Sequence, residues 1–228
     1  MSIEEPKKLP VFAEKKMLPA VQKIAEEQAY VRETLKGMKE FDPTTHKHLI
    51  ETANLAFLIS KKINLSQDET QLIVEAALVH DKGKMDIDSE ILFKQGALSE
   101  EDWEEVSKHV RETFNYVKKH GRHETAKITV AHHDHGESKS TSRPNGERRT
   151  EDAAVQAERR NGVDRREDDP QLNKLSRILS IIDSFEALRS PRHYKEGMPL
   201  EKCEKILLEK FTKDEDKKII QALIEVAK

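Results

Sequence analysis

The chain has 228 residues, 36% charged and only 5% aromatic, with a formal net charge of −3. That balance excludes a general attraction to DNA or to an anionic membrane, and it suits a helical protein with a well-solvated surface. A single cysteine, Cys203, excludes an internal disulfide framework. No apolar run reaches the ~20 residues that span a bilayer, and MSIEEPKKLP lacks the apolar stretch of a signal peptide; a cytoplasmic protein is expected.

Residues 1–18 read as a loose lead-in. Pro19 then opens an amphipathic helix, with Val21, Ile24, Val31, Leu35 and Met38 at three-four spacing to about Lys39 and a polar break at Gln28. Such a seam packs either on its own domain or against a second copy, as a homodimer through residues 19–39. Phe41-Asp42-Pro43 punctuates the chain. A long helix is expected from Thr45 to Lys62, a loop over Asn64–Gln67, and a helix over 68–79 that ends in an apolar run just before His80-Asp81. Ser99, followed by Glu100, Glu101 and Asp102, is a helix-start signature for Glu100–Lys119. Further helices are expected over 123–134, Leu172–Leu188, Leu200–Phe211 and Asp214–Ala227. No segment carries a convincing strand pattern, so the fold class is all-α: a helical bundle preceded by a lead-in and helix over 1–40, with the domain proper over 41–228.

One stretch stands apart. Half of residues 137–170 are charged, and only Ala153, Ala154, Val155, Ala157 and Val163 are apolar. Such a segment cannot bury enough apolar surface to offset the entropy of ordering, so it reads as a disordered insertion. Its arginine pairs read either as contacts for anionic partners or as a solvated spacer.

The chemistry gathers around His80-Asp81-Lys82-Gly83-Lys84. An adjacent imidazole and carboxylate at a helix end can face one cavity; the imidazole binds one metal and the carboxylate oxygens can bridge two. A lone His-Asp pair is common, so its company matters. His48 and His109 each interrupt an apolar helical pattern. His132-His133 closes another helix. Asp183 sits in the apolar run Ile178–Ile182, where a buried carboxylate is costly without a cation.

From Asp42 to Phe211 the order of these residues resembles the HD-GYP family, a branch of the HD phosphohydrolase superfamily. Asp42-Pro43-Thr44-Thr45-His46-Lys47-His48 matches the entry to the first family helix, and His80-Asp81-Lys82-Gly83-Lys84 matches HD-x-G-K. Leu98-Ser99-Glu100-Glu101 through His109 matches the helix of the next histidine. His132-His133-Asp134 matches the paired histidines, with Asp for the usual Glu. Arg177–Leu188 matches the helix of the last aspartate, and Arg192-His193-Tyr194-Lys195 resembles the R-x-Y-R/K element. The resemblance implies an HD-domain bundle with His48, His80, Asp81, His109, His132, His133 and Asp183 as metal ligands and Asp81 as the bridge. Lys84 would meet a substrate phosphate, with Asp81 and Lys84 the catalytic pair. Arg192 and Lys195 would face the guanine bases of a cyclic dinucleotide. Thr44 stands where some members carry a third-metal Glu, so two divalent ions per chain are implied, iron or manganese favoured and nickel or zinc also compatible.

The family's Gly-Tyr-Pro element is missing: no tyrosine lies between Tyr116 and Tyr194. Three readings follow. The first is a phosphodiesterase that hydrolyses cyclic di-GMP to pGpG or GMP with a water activated between two metals. The second is a module that keeps the metals and binds cyclic di-GMP or a partner with little turnover. The third is a phosphohydrolase for another nucleotide.

Overall fold

The computed structural model describes residues 16–130, 169–190 and 197–228. The helices are α1 (Pro19–Glu27), α2 (Ala29–Phe41), α3 (Pro43–Lys62), α4 (Gln67–Val79), α5 (Ser89–Leu92), α6 (Glu100–Lys119), α7 (His123–Val130), α8 (Pro170–Arg189), α9 (Leu200–Lys210) and α10 (Asp214–Val226), with a 3-10 turn over Lys82–Asp86 between α4 and α5. No strand occurs among the described residues, as the all-α expectation requires. No helix among them is long and apolar enough to cross a membrane.

Side-chain caps set several helix starts. The Asp42 carboxylate accepts from the Thr44 amide at 2.9 Å and from the Thr45 hydroxyl at 2.6 Å, with Pro43 in the first turn of α3. Ser66 with Glu69 and Ser99 with Asp102 form reciprocal capping boxes on α4 and α6. Asp169 caps Gln171 and Leu172, so α8 begins two residues before the expected Leu172. Asn64 takes a left-handed conformation (φ 57°) after α3, where its short polar side chain is tolerated.

The expected helix from Pro19 to Lys39 is two helices. Gln28 is extended (φ −111°, ψ 112°) and separates α1 from α2. Nothing local demands the break; it lets both halves lay apolar residues on the chain's own core. Val21 and Val31 are fully buried there alongside Tyr30, and Met38 is fully buried on the same seam, the first of the two readings of that spacing.

The core is centred on α3, α4 and α8. Ala53, Ala56 and Ile59 from α3 meet the run Ile73–Val79 of α4 and Leu175, Ile178, Leu179, Ile181, Ile182 and Phe185 of α8. The stretches Ile73–Val79 of α4 and Ile178–Ile182 of α8 are buried on every side, as the middles of central helices must be. Two ion pairs tie outer elements to them. Glu75 of α4, fully buried, takes a bidentate contact from Arg122 (2.7 and 3.0 Å), the Tyr30 hydroxyl at 2.9 Å and the Gln71 amide at 3.0 Å. Arg177 of α8 grips Asp216 of α10 at 2.7 and 2.8 Å and lies over the Phe211 ring.

Candidate metal centre

The C-terminal end of α4 delivers His80, fully buried, and Asp81, 3% exposed, to the interior. The 3-10 turn that follows is pressed against α6. A Cβ on Gly83 would fall 2.1 Å from the His109 carbonyl oxygen, so no side chain fits there. The Gly83 amide instead donates to the Thr113 hydroxyl at 2.8 Å. The glycine of the motif therefore lets α6 approach closely enough for His109 to reach Asp81. Helix α3 brings His48 from one side, and α8 brings Asp183 from another.

Five of the residues picked out from the sequence converge. Nε2 of His48 lies 3.1 Å from Nε2 of His80, 3.1 Å from Oδ1 of Asp183 and 3.8 Å from Oδ2 of Asp81. Nε2 of His80 lies 3.6 Å from Asp81 Oδ2 and 3.7 Å from Asp183 Oδ1. Donors held at about 2.0–2.2 Å around one cation stand roughly 3–3.6 Å from one another; this set, at 3.1–3.8 Å, is within a few tenths of an ångström of that spacing. The other oxygen of Asp81 turns away: Oδ1 faces Nε2 of His109 at 3.5 Å. The carboxylate thus addresses two positions, one with each oxygen. Lys84 reaches back to Asp81 Oδ2 at 2.6 Å from a half-buried position. His132, His133, Arg192 and Lys195 lie outside the described residues, as do the Asp134 beside them and residues 137–168 of the expected insertion.

Each imidazole is oriented by its second nitrogen. His80 Nδ1 donates to the Ala77 carbonyl at 2.9 Å, and His109 Nδ1 to the Val106 carbonyl at 2.5 Å. His48 Nδ1 pairs with the Glu186 carboxylate. All three rings therefore turn Nε2 inward, the arrangement that outer-shell acceptors impose on metal-ligating histidines. Glu186 was not singled out from the sequence, although it is signalled as Asp183 is: an acid in an apolar helical run, one turn further on.

Electrostatics prepares the same donors. Burial disfavours the Asp81 anion, but Lys84, His80, His109 and His48 outweigh it and hold its pKa well below the usual carboxylate range. Asp183 is likewise penalised by burial and held low by His48 and His80. Burial pushes His109 down to about 4, which keeps its ring neutral. Burial also works against the His48 cation, yet Glu186 and Asp183 overcome it and raise its pKa to about 10. Two anions, a neutral ring and a proton held where a cation fits make a donor set suited to divalent metal, whose uptake would displace that proton. The side chains fit the metal that the sequence resemblance implies.

Comparison with known proteins agrees with this geometry. The family model described as HD domain matches residues 45–188. The chain is 29% identical over 168 residues to the 3'3'-cGAMP-specific phosphodiesterase 3 of Vibrio cholerae, covering 73% of this chain and 32% of that protein. It is 25% identical to the cyclic di-GMP phosphodiesterase response regulator RpfG of Xanthomonas campestris (87% of this chain, 48% of that protein). It is 27% identical to a cyclic di-GMP phosphodiesterase of Thermotoga maritima (76% and 42%). The chain thus spans between about a third and a half of the length of these curated relatives. Among solved structures, the HD domain of the L. monocytogenes phosphodiesterase PgpH, in complex with cyclic-di-AMP, has the same fold. Its TM-score is 0.53 at 20% identity, over 85% of this chain and 95% of that one. The family match runs from before His48 to beyond Asp183, through every helix that brings a side chain to this centre: the chain belongs to the HD domain family.

Proposed function

We propose that this chain is a metal-dependent phosphodiesterase that opens a cyclic dinucleotide, cyclic di-GMP foremost, to pGpG or GMP. The observation that carries the reading is the grouping of His48, His80 and Asp81, whose donor atoms all lie within 4.8 Å of one another, with Asp183 closing the set. One cation would take Nε2 of His48 and His80 with oxygens of Asp81 and Asp183. A second would share Asp81 and take His109, with His132 and His133 as further ligands. Iron or manganese suits this mixed imidazole–carboxylate set, and nickel or zinc is compatible with it. Bound there, the metal pair supplies a water of lowered pKa as nucleophile and neutralises charge on the phosphodiester.

The protein's own groups do the rest. Asp81 stays ionised and directs its two oxygens to the two positions. His109 stays neutral. Lys84, anchored on Asp81 and partly exposed, offers its ammonium to a phosphate oxygen on which charge develops. Arg192 and Lys195 would meet the bases. Two relatives carry cyclic di-GMP in their names and two are named for 3'3'-cGAMP, a second guanine-containing cyclic dinucleotide, so a guanine-containing cyclic dinucleotide is favoured, and cyclic di-GMP is the one that the motif resemblance implies.

The missing Gly-Tyr-Pro element supports a second reading, a module that retains metal and binds the dinucleotide with little turnover. Incubation of manganese- or iron-loaded protein with cyclic di-GMP, followed by chromatography, separates the two. Linear product is expected within hours. Binding without linear product overturns the phosphodiesterase reading and leaves the binding module.

A further inference from the structure

Helix α3 also carries a half-buried acid one turn beyond His48. Glu51 has a side chain only 12% exposed. Its Oε2 lies 3.4 Å from the Ser190 hydroxyl at the C-terminal end of α8. Ser190 also meets Oε1 of Glu186, and this is the closer of its two contacts. Oε2 of Glu186, in turn, pairs with His48 Nδ1. The residues form a chain: Glu51, Ser190, Glu186, His48.

Counting protons along this chain fixes the role of its outer member. A serine hydroxyl has one proton to give, and the shorter contact assigns it to Glu186. The Ser190 oxygen then has only lone pairs to turn toward Glu51, so the approach is favourable when Glu51 carries a proton and donates. Two carboxyl groups within reach of each other in a buried pocket also cannot both ionise cheaply. The other oxygen of Glu51, Oε1, finds no hydrogen-bond partner among the described residues, with the Lys47 ammonium 3.9 Å away. A protonated carboxyl tolerates that setting far better than an anion.

We propose that Glu51 is a positioning residue which, as a neutral hydrogen-bond donor, holds Ser190 and Glu186 in place and so locks the His48 ring with Nε2 toward the first metal position. The inference rests on the metal reading above for its functional meaning, but the chain of contacts stands in the metal-free protein. Ser190 also immediately precedes the segment that contains Arg192 and Lys195.

Glutamine at position 51 keeps a donor and removes the charge, so it separates this role from that of an anion. Zinc affinity, measured by competition with a chromophoric chelator, is expected to change less than threefold in Glu51→Gln. It should weaken about tenfold or more in Glu51→Ala and in Ser190→Ala, as loss of an outer-shell partner does. Circular dichroism checks that each variant folds; should Glu51→Ala lose helicity, Ser190→Ala decides. Wild-type affinity in a folded Ala variant overturns the proposal, and so does Glu51→Gln falling as far as Glu51→Ala. The second readout needs no metal: the imidazole N–H proton resonance of His48 in metal-free protein. It should persist in Glu51→Gln and broaden or vanish in Glu51→Ala; persistence in both overturns the proposal. A wild-type protein that binds no zinc yet shows this pattern removes the metal reading and keeps the positioning role.

Discussion

Two polar clusters are buried in this domain, and they solve the same problem in opposite ways. Around Glu75, one carboxylate is met by a bidentate guanidinium, a phenol and an amide, all from the protein. Around Asp81, two carboxylates converge with three imidazoles, one of them holding a proton at a position sized for a metal. The first cluster is closed and joins α2, α4 and the α6–α7 corner. The second is arranged for something to enter. A buried charge alone does not mark a functional site; what separates the two is that the Asp81 cluster, besides its Lys84 partner, turns several imidazole nitrogens and carboxylate oxygens toward one another at ligand spacing, whereas every partner in the Glu75 cluster donates to a single carboxylate.

The contrast can be broken at either side. The largest effect on stability belongs to the closed cluster. Arg122→Ala leaves Glu75 buried without its guanidinium and should cost about 3–5 kcal/mol in urea unfolding, with metal affinity per folded chain unchanged. A loss below 1 kcal/mol would show that the pair does not hold the fold.

A smaller effect follows from Glu51. Burial and the neighbouring Glu186 carboxylate push its pKa from 4.5 up to about 7. A carboxyl raised on folding stabilises fully below its unfolded pKa, and that contribution is lost as pH rises through the folded value. Metal-free protein should therefore lose up to about 3 kcal/mol between pH 4.5 and 7 from this group, and Glu51→Gln should flatten that slope. An unchanged slope in the variant would mean that Glu51 is ionised in the fold throughout this range.

The smallest effect on the empty fold is expected at the open cluster. His80→Ala with Asp81→Ala should retain the helical signal while abolishing the rise in Tm that manganese or zinc gives the wild type. A double variant still stabilised by metal would place the ions elsewhere.

Much of this architecture was legible in the sequence, and the exceptions have physical reasons. The bounds of α6 were readable because Ser99 and Asp102 announce its start. The break at Gln28 was not, because glutamine is a good helix former and the chain bends there for tertiary reasons. The 3-10 turn and α5 were not predicted either: the turn exists because Gly83 lets α6 come close, a contact no local pattern encodes. For the site, His80-Asp81 could be picked out because the pair closes an apolar helix, and His48, His109 and Asp183 because each interrupts an apolar pattern. Glu51 and Glu186 do so too, but their value depends on a partner 135 or more positions away in the chain. No spacing rule reaches that far.

The approach of α2 to the turn after Asp81 carries a practical consequence. A Cβ on Gly37 would come 2.6 Å from the Met85 methyl carbon, the Tyr116 hydroxyl donates to the Tyr30 carbonyl, and Lys82 lies over the Tyr116 ring. Helix α2 is thus a floor joist under the loop that carries the key aspartate, yet it lies wholly ahead of residue 45, where the family match begins. A chain trimmed to the match would keep every residue proposed to touch metal while losing the support that holds several of them level.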